Sequence, residues 1–282
     1  MGLPMAAHLV RAGHSLVGVE PDAQRRERAA REDVQAVATF AEAIGLVAGN
    51  EPIACSSLPD DAALLAVARA LRAGTRPVST WIDTSTVSLE ASAAAAALCT
   101  EAHIEYLRAP VSGNAVMAVN AQLTVLASGP QAAYARCEAL FTCWGPKRLY
   151  LGTAEQARTM KLVLNLMIAV TSGMLAEALA LGQRGGLSWN DLWDGIVESA
   201  LGAPIVKAKA PALRARDYTP TFTVQQMRKD LGLILGAGEQ LGVALPLAAL
   251  VQKAMVAAAE QGDVDLDYAA VIRVAERAAG LI

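Results

Sequence analysis

The sequence has few cysteines, few aromatic residues and little charge. Its four cysteines form neither a CxxC pair nor a Cys/His ligand pattern, which argues against a structural zinc site or a disulfide framework. Charged residues make up only 18% of the 282 residues, and the net charge is −3, with no block of Lys or Arg. This composition argues against nucleic acid or an anionic membrane surface as the main partner.

The N-terminal segment lacks the features of a secretory signal. Its first residues, MGLPMAAHLVRAGH, show no basic region followed by an apolar stretch and a cleavage site. We therefore expect a reduced, cytoplasmic protein. Hydrophobic residues account for 54% of the chain, which implies extensive burial, and the length is sufficient for two domains with cores of their own.

The first half of the chain alternates short apolar strands with helices. Strands are predicted at 14–20, 53–58, 78–82, 104–107 and 123–127. Helices are predicted at 3–13, 23–31, 62–73, 89–102 and 131–141, and Asp, Ser or Thr residues are available as N-caps for two of them. Alternation with these lengths predicts an α/β fold with a doubly wound parallel sheet over residues 1–151.

After Gly152 the strand signals end and only helices are predicted. The segment 153–183 contains no proline and is rich in Ala, Leu, Met and Glu, which favours one long helix. Five further helices are predicted at 188–199, 203–213, 222–241, 246–261 and 267–279. The sequence thus predicts an all-helical domain over residues 152–282, organised on the long helix.

The long helix is apolar on nearly every face, which is typical of a helix covered by protein on all sides or of one that crosses a membrane. Asn165 and Glu177 within the apolar span argue against lipid. We therefore expect this helix to be covered by its own domain and by a second subunit, giving a homodimer or homotetramer.

Lys161 stands where the apolar run of this helix begins, and Asn165 follows four residues later on the same face. A lysine beside apolar surface is a candidate acid/base, because desolvation lowers the pKa of an amine toward neutrality. Taken alone, the pattern also fits a solvated lysine at the end of a core stripe.

Several polar groups follow predicted strands, where parallel sheets bind ligands. Glu20 ends the first predicted strand, at the position from which an acid binds the adenosine ribose in dinucleotide-binding folds. It also fits an ordinary solvated acid. Three loops follow later strands, at 57–59, 83–86 and 110–114; the last offers a hydroxyl, backbone N–H groups and an amide, which suit a carboxylate.

The order and spacing of these segments resemble a known family. The segments are MGLPMAAHLVRAGHSLVGVEP, SSLPDD, DTST, APVSG, GTAEQARTMKLVLN and KDLGLIL. Together they resemble the β-hydroxyacid dehydrogenases, which include 3-hydroxyisobutyrate dehydrogenase and tartronate semialdehyde reductases, and the resemblance covers essentially the whole chain. It implies a Rossmann-like domain that binds NAD or NADP and a helical domain that completes the site and dimerises.

The resemblance implies roles for individual residues. Lys161 matches the catalytic lysine and Asn165 the asparagine one turn later, which favours catalysis over the solvated-lysine alternative. The substrate, a small hydroxyacid, is expected to contact Ser112, Gly113, Asn114 and Lys229. The cofactor is expected to contact Gly2, Met5, Glu20, Leu58, Pro59, Thr86, Lys229 and Asp230. Because Glu20 would accept from the ribose hydroxyls and repel a 2′-phosphate, NAD is expected to be preferred to NADP.

The chain departs from the family pattern at two kinds of position. Arg108, Asn114, Met117 and Ala121 replace the commoner residues, which predicts a reshaped substrate pocket. The sequence also opens at Met1-Gly2, without the strand and the two glycines that precede this point in the family. We expect weak NAD binding and reduced stability in consequence. A non-catalytic member or an imine-reductase-like member therefore stays an alternative.

Overall fold

The computed structural model describes residues 1–47, 52–74 and 78–282, which form two compact units, Met1–Lys161 and Leu162–Ile282. Every described strand lies in the first unit, and the described elements of the second are helical. The predicted α/β architecture followed by a helical domain is confirmed. The predicted domain boundary at 151/152 stays a prediction.

The first unit alternates strands and helices as the sequence predicted. Its helices are α1 (Gly2–Arg11), α2 (Ala23–Ala30), α3 (Phe40–Leu46), α4 (Asp61–Ala73), α5 (Leu89–Glu101), α6 (Ala115–Val119) and α7 (Gln131–Thr142). Its strands are β1 (Gly18–Val19), β2 (Ala36–Val37), β3 (Ile53–Ser56), β4 (Thr80–Asp83), β5 (Glu105–Arg108), β6 (Val111–Ser112), β7 (Thr124–Ala127) and β8 (Lys147–Tyr150).

The strands form three parallel groups with one antiparallel exception. β1 pairs with β2, β4 pairs with β3 and β5, and β7 pairs with β8, all in parallel. β6, a short strand that the sequence did not predict, runs antiparallel to β7. An isolated bridge between Arg108 and Ser128 joins β5 to the strand group of β7. Along the described strands, β1 and β3 each pair on one edge only.

The two largest of the described buried clusters in the first unit both include residues of β4 and β5. One gathers apolar side chains from α1, β4, β5, β7 and α7, with Trp144 and Phe141 among its largest members. The other gathers side chains from α4, β4, α5 and β5 around Trp81 and Tyr106, whose ring centroids lie 4.8 Å apart. β4 contributes to both clusters, because its alternate side chains point to opposite faces of the sheet.

The long helix α8 (Gln156–Arg184) begins in the first unit and continues into the second. The second unit continues with α9 (Trp189–Glu198), α10 (Pro204–Arg214), α11 (Val224–Leu241), α12 (Pro246–Ala258), a π-helical turn (Ala259–Asp263), a 3-10 turn (Tyr268–Ala270) and α13 (Val271–Ala278). Thr223 and Gln226 form a capping box at the start of α11. The expected cap, Thr221, instead donates to Asp267 at 3.0 Å.

Several apolar side chains of α8 are exposed. Val163, Met167, Met174 and Leu181 lie four, seven and seven residues apart, and Met167 and Leu181 are 62% and 76% exposed. By length and composition α8 also has the properties of a helix that could cross a membrane, a test that core helices of globular proteins pass as well. The exposed stripe agrees with the expectation that its own domain does not cover α8 completely.

Candidate cofactor and active site

Two of the predicted cofactor loops follow β3 and β4, which are parallel neighbours and therefore end at the same edge of the sheet. Leu58 and Pro59 follow β3; Leu58 is half-buried and Pro59 is exposed. Thr86 follows β4 and is half-buried. The first unit thus brings these three predicted residues to one edge.

A chain of short hydrogen bonds connects the two loops. The backbone N–H of Leu58 donates to Ser85 Oγ at 2.8 Å, and the Ser85 hydroxyl donates to Asp83 Oδ1 at 2.6 Å. The Ser56 hydroxyl donates to the same Asp83 oxygen at 2.5 Å and accepts from Trp81 Nε1 at 2.8 Å. Asp83 therefore organises both loops from beneath, at the end of β4.

Arg158, in the first turn of α8, neutralises this buried carboxylate. Its guanidinium pairs with Asp83 Oδ2, and the two side chains are 1% and 0% exposed. It also donates to the Ser85 carbonyl at 2.5 Å, the Tyr106 hydroxyl at 2.9 Å and Ser92 Oγ at 3.2 Å. Burial opposes the charge of the guanidinium, but Tyr106 and Asp83 raise the pKa of Arg158 above its ordinary value.

Arg158 and Asp83 are not among the site residues that the sequence predicts. The available signals were an aspartate inside an apolar strand and an arginine just before an apolar helical run, each of which needs a partner when buried. The sequence did not show that each is the other's partner, because they are 75 residues apart.

The structure places the three remaining predicted cofactor residues of the first unit differently from one another. Gly2 opens α1, and a Cβ added there would lie 3.4 Å from Ser57 Cβ, so the helix start and the loop after β3 are close neighbours. Glu20 follows β1; its Oε1 accepts from the Asp22 N–H at 3.0 Å. Met5 packs in the buried core, and its cofactor contact stays a prediction that this burial does not favour.

The predicted substrate loop joins β6 to α6. Ser112 pairs with Thr124 across the antiparallel strands, and Gly113 has a φ of +136° that side chains rarely allow. A Cβ on Gly113 would lie 2.7 Å from Leu123 Cδ2, so a glycine is needed for both reasons. Asn114 caps α6, with Oδ1 accepting from the Met117 N–H at 3.0 Å. Its expected contact with substrate stays a prediction.

Arg108 is directed into the first unit. Its Nε donates to Glu155 Oε1 at 2.7 Å, and its guanidinium carbon lies 4.8 Å from the centroid of the Tyr106 ring. The Arg108 side chain is 8% exposed. Its charge is therefore paired inside this unit, which does not favour the expectation that Arg108 reshapes a substrate pocket by direct contact.

The second unit brings three predicted site residues together. The Asn165 Nδ2 group on α8 donates to Asp230 Oδ2 on α11 at 2.6 Å, and both side chains are buried, at 5% and 2% exposure. The Lys229 ammonium lies 3.1 Å from the other Asp230 oxygen. Lys161, half-buried, stands one helical turn before Asn165 on α8.

The Asn165–Asp230 bond fixes the direction of the Asn165 amide. Its NH₂ group faces the carboxylate, because a carboxylate only accepts, so its Oδ1 is turned away. Asp230 therefore holds Asn165 in place, and the expected direct contact of Asp230 with the cofactor stays a prediction.

The part of the chain that the structure describes contains no group of three or more His, Cys, Asp or Glu side chains arranged to hold a metal ion. Besides the carboxylates of Glu20 and Asp83, the polar groups at the strand ends are hydroxyls, backbone N–H groups and amides, which are donors suited to phosphates, hydroxyls and carboxylates.

The strand-end loops of the first unit and the helical second unit define a two-domain protein with a dinucleotide-binding α/β domain. The model described as the NAD binding domain of 6-phosphogluconate dehydrogenase matches residues 1–152. The model described as NAD-binding of NADP-dependent 3-hydroxyisobutyrate dehydrogenase matches residues 156–275. The chain belongs to the β-hydroxyacid dehydrogenase family, which confirms the resemblance seen in the sequence.

Individual relatives agree with this family. Glyoxylate/succinic semialdehyde reductase 1 of Arabidopsis thaliana is 32% identical over 192 residues, which are 68% of this chain and 66% of that protein. A probable 3-hydroxyisobutyrate dehydrogenase of Mycobacterium tuberculosis is 29% identical over 96% of this chain and 93% of its own length. A structure of the Mycobacterium tuberculosis 3-hydroxyisobutyrate dehydrogenase with L-serine superposes with a TM-score of 0.87, at 28% identity, over 97% of this chain and 95% of that one.

Proposed function

We propose that this chain is an NAD(P)-dependent dehydrogenase of small hydroxyacids, or a reductase of the corresponding semialdehydes or keto acids. One observation carries the proposal: this member of the family has Lys161 and Asn165 on α8, one helical turn apart. A half-buried lysine beside a fixed amide suits proton transfer to or from an oxygen atom.

The dinucleotide would be held in the first unit. Gly2 at the start of α1, Leu58 and Pro59 after β3, and Thr86 after β4 would line its site, and Glu20 would accept from the ribose hydroxyls. The close approach of Gly2 to Ser57 supports this fit, because it leaves the backbone N–H groups of the helix start beside the loop. The nicotinamide supplies or accepts the hydride when bound.

The protein's own groups would position the substrate and move its proton. Lys161 would take the hydroxyl proton during oxidation and return it during reduction. The Asn165 amide, held by Asp230, would orient the reacting oxygen with its Oδ1 or second N–H. Ser112, the backbone N–H groups at Gly113 and Asn114, and Lys229 would bind the carboxylate.

The substrate class follows from the relatives' names and from this set of groups. The relatives are named for 3-hydroxyisobutyrate, glyoxylate and succinic semialdehyde, which are all small carboxylates with an alcohol or aldehyde carbon. A hydroxyacid or sugar acid of similar size is the substrate we propose. We further propose a cytoplasmic location.

NAD is proposed as the preferred cofactor, although one matching family description names NADP. Glu20 supports NAD, because its carboxylate would repel a 2′-phosphate. Arg25 Nη1 lies 3.8 Å from Glu20 Oε2 and offsets part of that charge. Arg26 donates to the backbone carbonyls of Glu20 and Pro21, at 2.9 and 2.7 Å, so its guanidinium is not paired with the Glu20 carboxylate.

The protein is proposed to form a homodimer or a homotetramer through the exposed apolar stripe of α8. Exposed apolar stripes of this length are uncommon on monomers. The residues of this stripe are Val163, Met167, Met174 and Leu181.

A substrate panel tests the function. The purified protein is assayed with NAD and with NADP against 3-hydroxyisobutyrate, L-serine, glyoxylate, succinic semialdehyde, tartronate semialdehyde and small sugar acids, with absorbance at 340 nm as the readout. We expect turnover of at least one hydroxyacid or semialdehyde. Binding of a dinucleotide without turnover of any of them would favour a non-catalytic member, and reduction of cyclic imines alone would favour an imine reductase.

A further inference from the structure

The Arg158 guanidinium makes more hydrogen bonds than a simple ion pair needs. It reaches four different acceptors, one each on Asp83, Ser85, Ser92 and Tyr106, and is 1% exposed. The planar guanidinium of an arginine can donate to four separate acceptors at once, whereas the single ammonium group of a lysine cannot reach all four. A guanidinium with this many partners has one geometry only.

The acceptors of Arg158 lie directly beneath the loops that we expect to hold the cofactor. Arg158 binds the Ser85 carbonyl at 2.5 Å, one residue before Thr86. It also pairs with Asp83, which accepts from the Ser85 hydroxyl, and that hydroxyl accepts from the Leu58 N–H. A continuous chain of bonds thus runs from Arg158 through Asp83 and Ser85 to Leu58.

Arg158 also sets the direction of the first turns of α8. Lys161 follows it by three residues, so the two side chains are neighbours on the helix surface. Because the guanidinium is fixed by four acceptors, the helix cannot rotate about its axis without breaking them. The position of Arg158 therefore determines where the Lys161 side chain leaves the helix.

We propose that Arg158 is a positioning residue that aligns the cofactor loops at Leu58 and Thr86 with the helical turn that carries Lys161. This inference rests on the proposed function, in which those loops hold the dinucleotide and Lys161 transfers the proton. Arg158 touches neither substrate nor cofactor in this proposal; it acts through Asp83 and Ser85. A purely structural arginine would stabilise the fold without affecting the cofactor site.

The test uses Arg158→Lys and Arg158→Met, with Arg216→Met as the matched control. Arg216 binds both carboxylate oxygens of the fully buried Glu276 at 2.6 Å in the second unit, so its replacement also leaves a buried carboxylate without its arginine partner. The measurements are the melting temperature, the dissociation constant for NADH, kcat and KM well below the melting temperature, and amide hydrogen exchange at Leu58.

Both Arg158 variants are expected to lose protection at the Leu58 amide and to bind NADH roughly tenfold more weakly, the effect of about one lost hydrogen bond. Their kcat should fall on the order of 10²-fold, as misplaced catalytic groups do, with a smaller change in the substrate KM. The control should melt earlier but keep the parent dissociation constant and kcat.

Variants that melt earlier yet keep the parent NADH affinity, kcat and Leu58 exchange would overturn the proposal. If the Arg158 variants do not fold, Ser85→Ala breaks the chain of bonds without removing a charge; unchanged Leu58 exchange and NADH affinity would then overturn it. A parent protein that binds NADH but turns over no hydroxyacid, semialdehyde or keto acid would refute the proposed function alone, because the affinity and exchange measurements would still decide the role of Arg158.

Discussion

Removal of either partner of the buried Asn165–Asp230 bond should destabilise the protein, and the two losses should not add. The Asn165 Nδ2 group and Asp230 Oδ2 are 2.6 Å apart, and both side chains are almost fully buried. Each residue is replaced by alanine alone and then both together. This cycle isolates the pairwise contribution, because the loss of the rest of each side chain cancels.

The magnitude follows from the charge and burial of the pair. A hydrogen bond to a charged group contributes about 1.5–3 kcal/mol to stability. Asp230→Ala also leaves the buried Asn165 amide without this acceptor, which costs about 1–3 kcal/mol, whereas Asn165→Ala leaves Asp230 with Lys229 at 3.1 Å. We therefore expect Asp230→Ala to be the more damaging single change and the coupling free energy to be about 2 kcal/mol.

Urea denaturation followed by circular dichroism gives the free energy of unfolding for the four proteins. A parallel cycle on Arg214 and Asp194, a pair that is 32% and 65% exposed, serves as the control and should give a coupling of about 0.2–1 kcal/mol. Single changes at Asn165 and Asp230 that sum to the double change within about 0.5 kcal/mol would refute the reasoning.

Four further predictions address the site and the assembly. Lys161→Ala should lower kcat on the order of 10²–10⁴-fold with NADH affinity retained, and parent-like steady-state kinetics would remove Lys161 from the mechanism. Glu20→Gln should raise the ratio of kcat/KM for NADP to that for NAD, and an unchanged ratio would remove Glu20 from cofactor choice. Met167→Glu, on the exposed stripe of α8, should lower the mass measured by light scattering, and an unchanged mass would show that this stripe is not the interface. Burial raises the pKa of Tyr106 to about 12, so the folded protein holds a proton that the unfolded chain loses above about pH 10, and the free energy of unfolding should fall between about pH 10 and pH 12. Tyr106→Phe should reduce this fall, and an unchanged dependence on alkaline pH in that variant would contradict the prediction.

The helices of the second unit were predictable because their signals are local. The ends of α8, predicted at 153 and 183, lie at 156 and 184, and α9 begins after Ser188, whose hydroxyl oxygen accepts from the Asp191 N–H at 3.1 Å. Helical periodicity, good helix formers and N-cap residues are all read from neighbouring positions in the sequence. The cap of α11 was placed two residues early, because Thr221 and Thr223 carry the same local signal and only the tertiary bond to Asp267 separates them.

The short elements of the first unit were missed for the opposite reason. β2, β6, α3 and α6 contain two to seven residues, too few to show a period. β8 reads Lys-Arg-Leu-Tyr and becomes a strand because its backbone pairs with β7, which the sequence of β8 does not reveal. The predicted strand at 14–20 is paired only at Gly18–Val19, where β2 is available.

The candidate site was predicted as separate residues, and the structure adds the bonds between them. Lys161 and Asn165 belong to one helix, so their spacing was visible in the sequence. The partner of Asn165 is 65 residues away and that of Arg158 is 75 residues away. A buried charge or amide needs a hydrogen-bond partner, but the residue type at one position does not identify which distant residue is that partner.

In the proposed mechanism, the bonds on either side of Lys161 would hold the backbone that carries this lysine. Arg158, three residues earlier, is fixed within the first unit by Asp83, and Asn165, four residues later, is fixed within the second by Asp230. Each anchor is a buried side chain with a charged partner, so the backbone of α8 is held on both sides of the lysine. A proton-transfer group must be presented at a defined place, since a displacement of about 1 Å lowers the rate substantially. The side chain of Lys161 thus extends from a backbone that is fixed on both sides, and in the proposed mechanism the carboxylates of Asp83 and Asp230 would contribute by fixing that backbone.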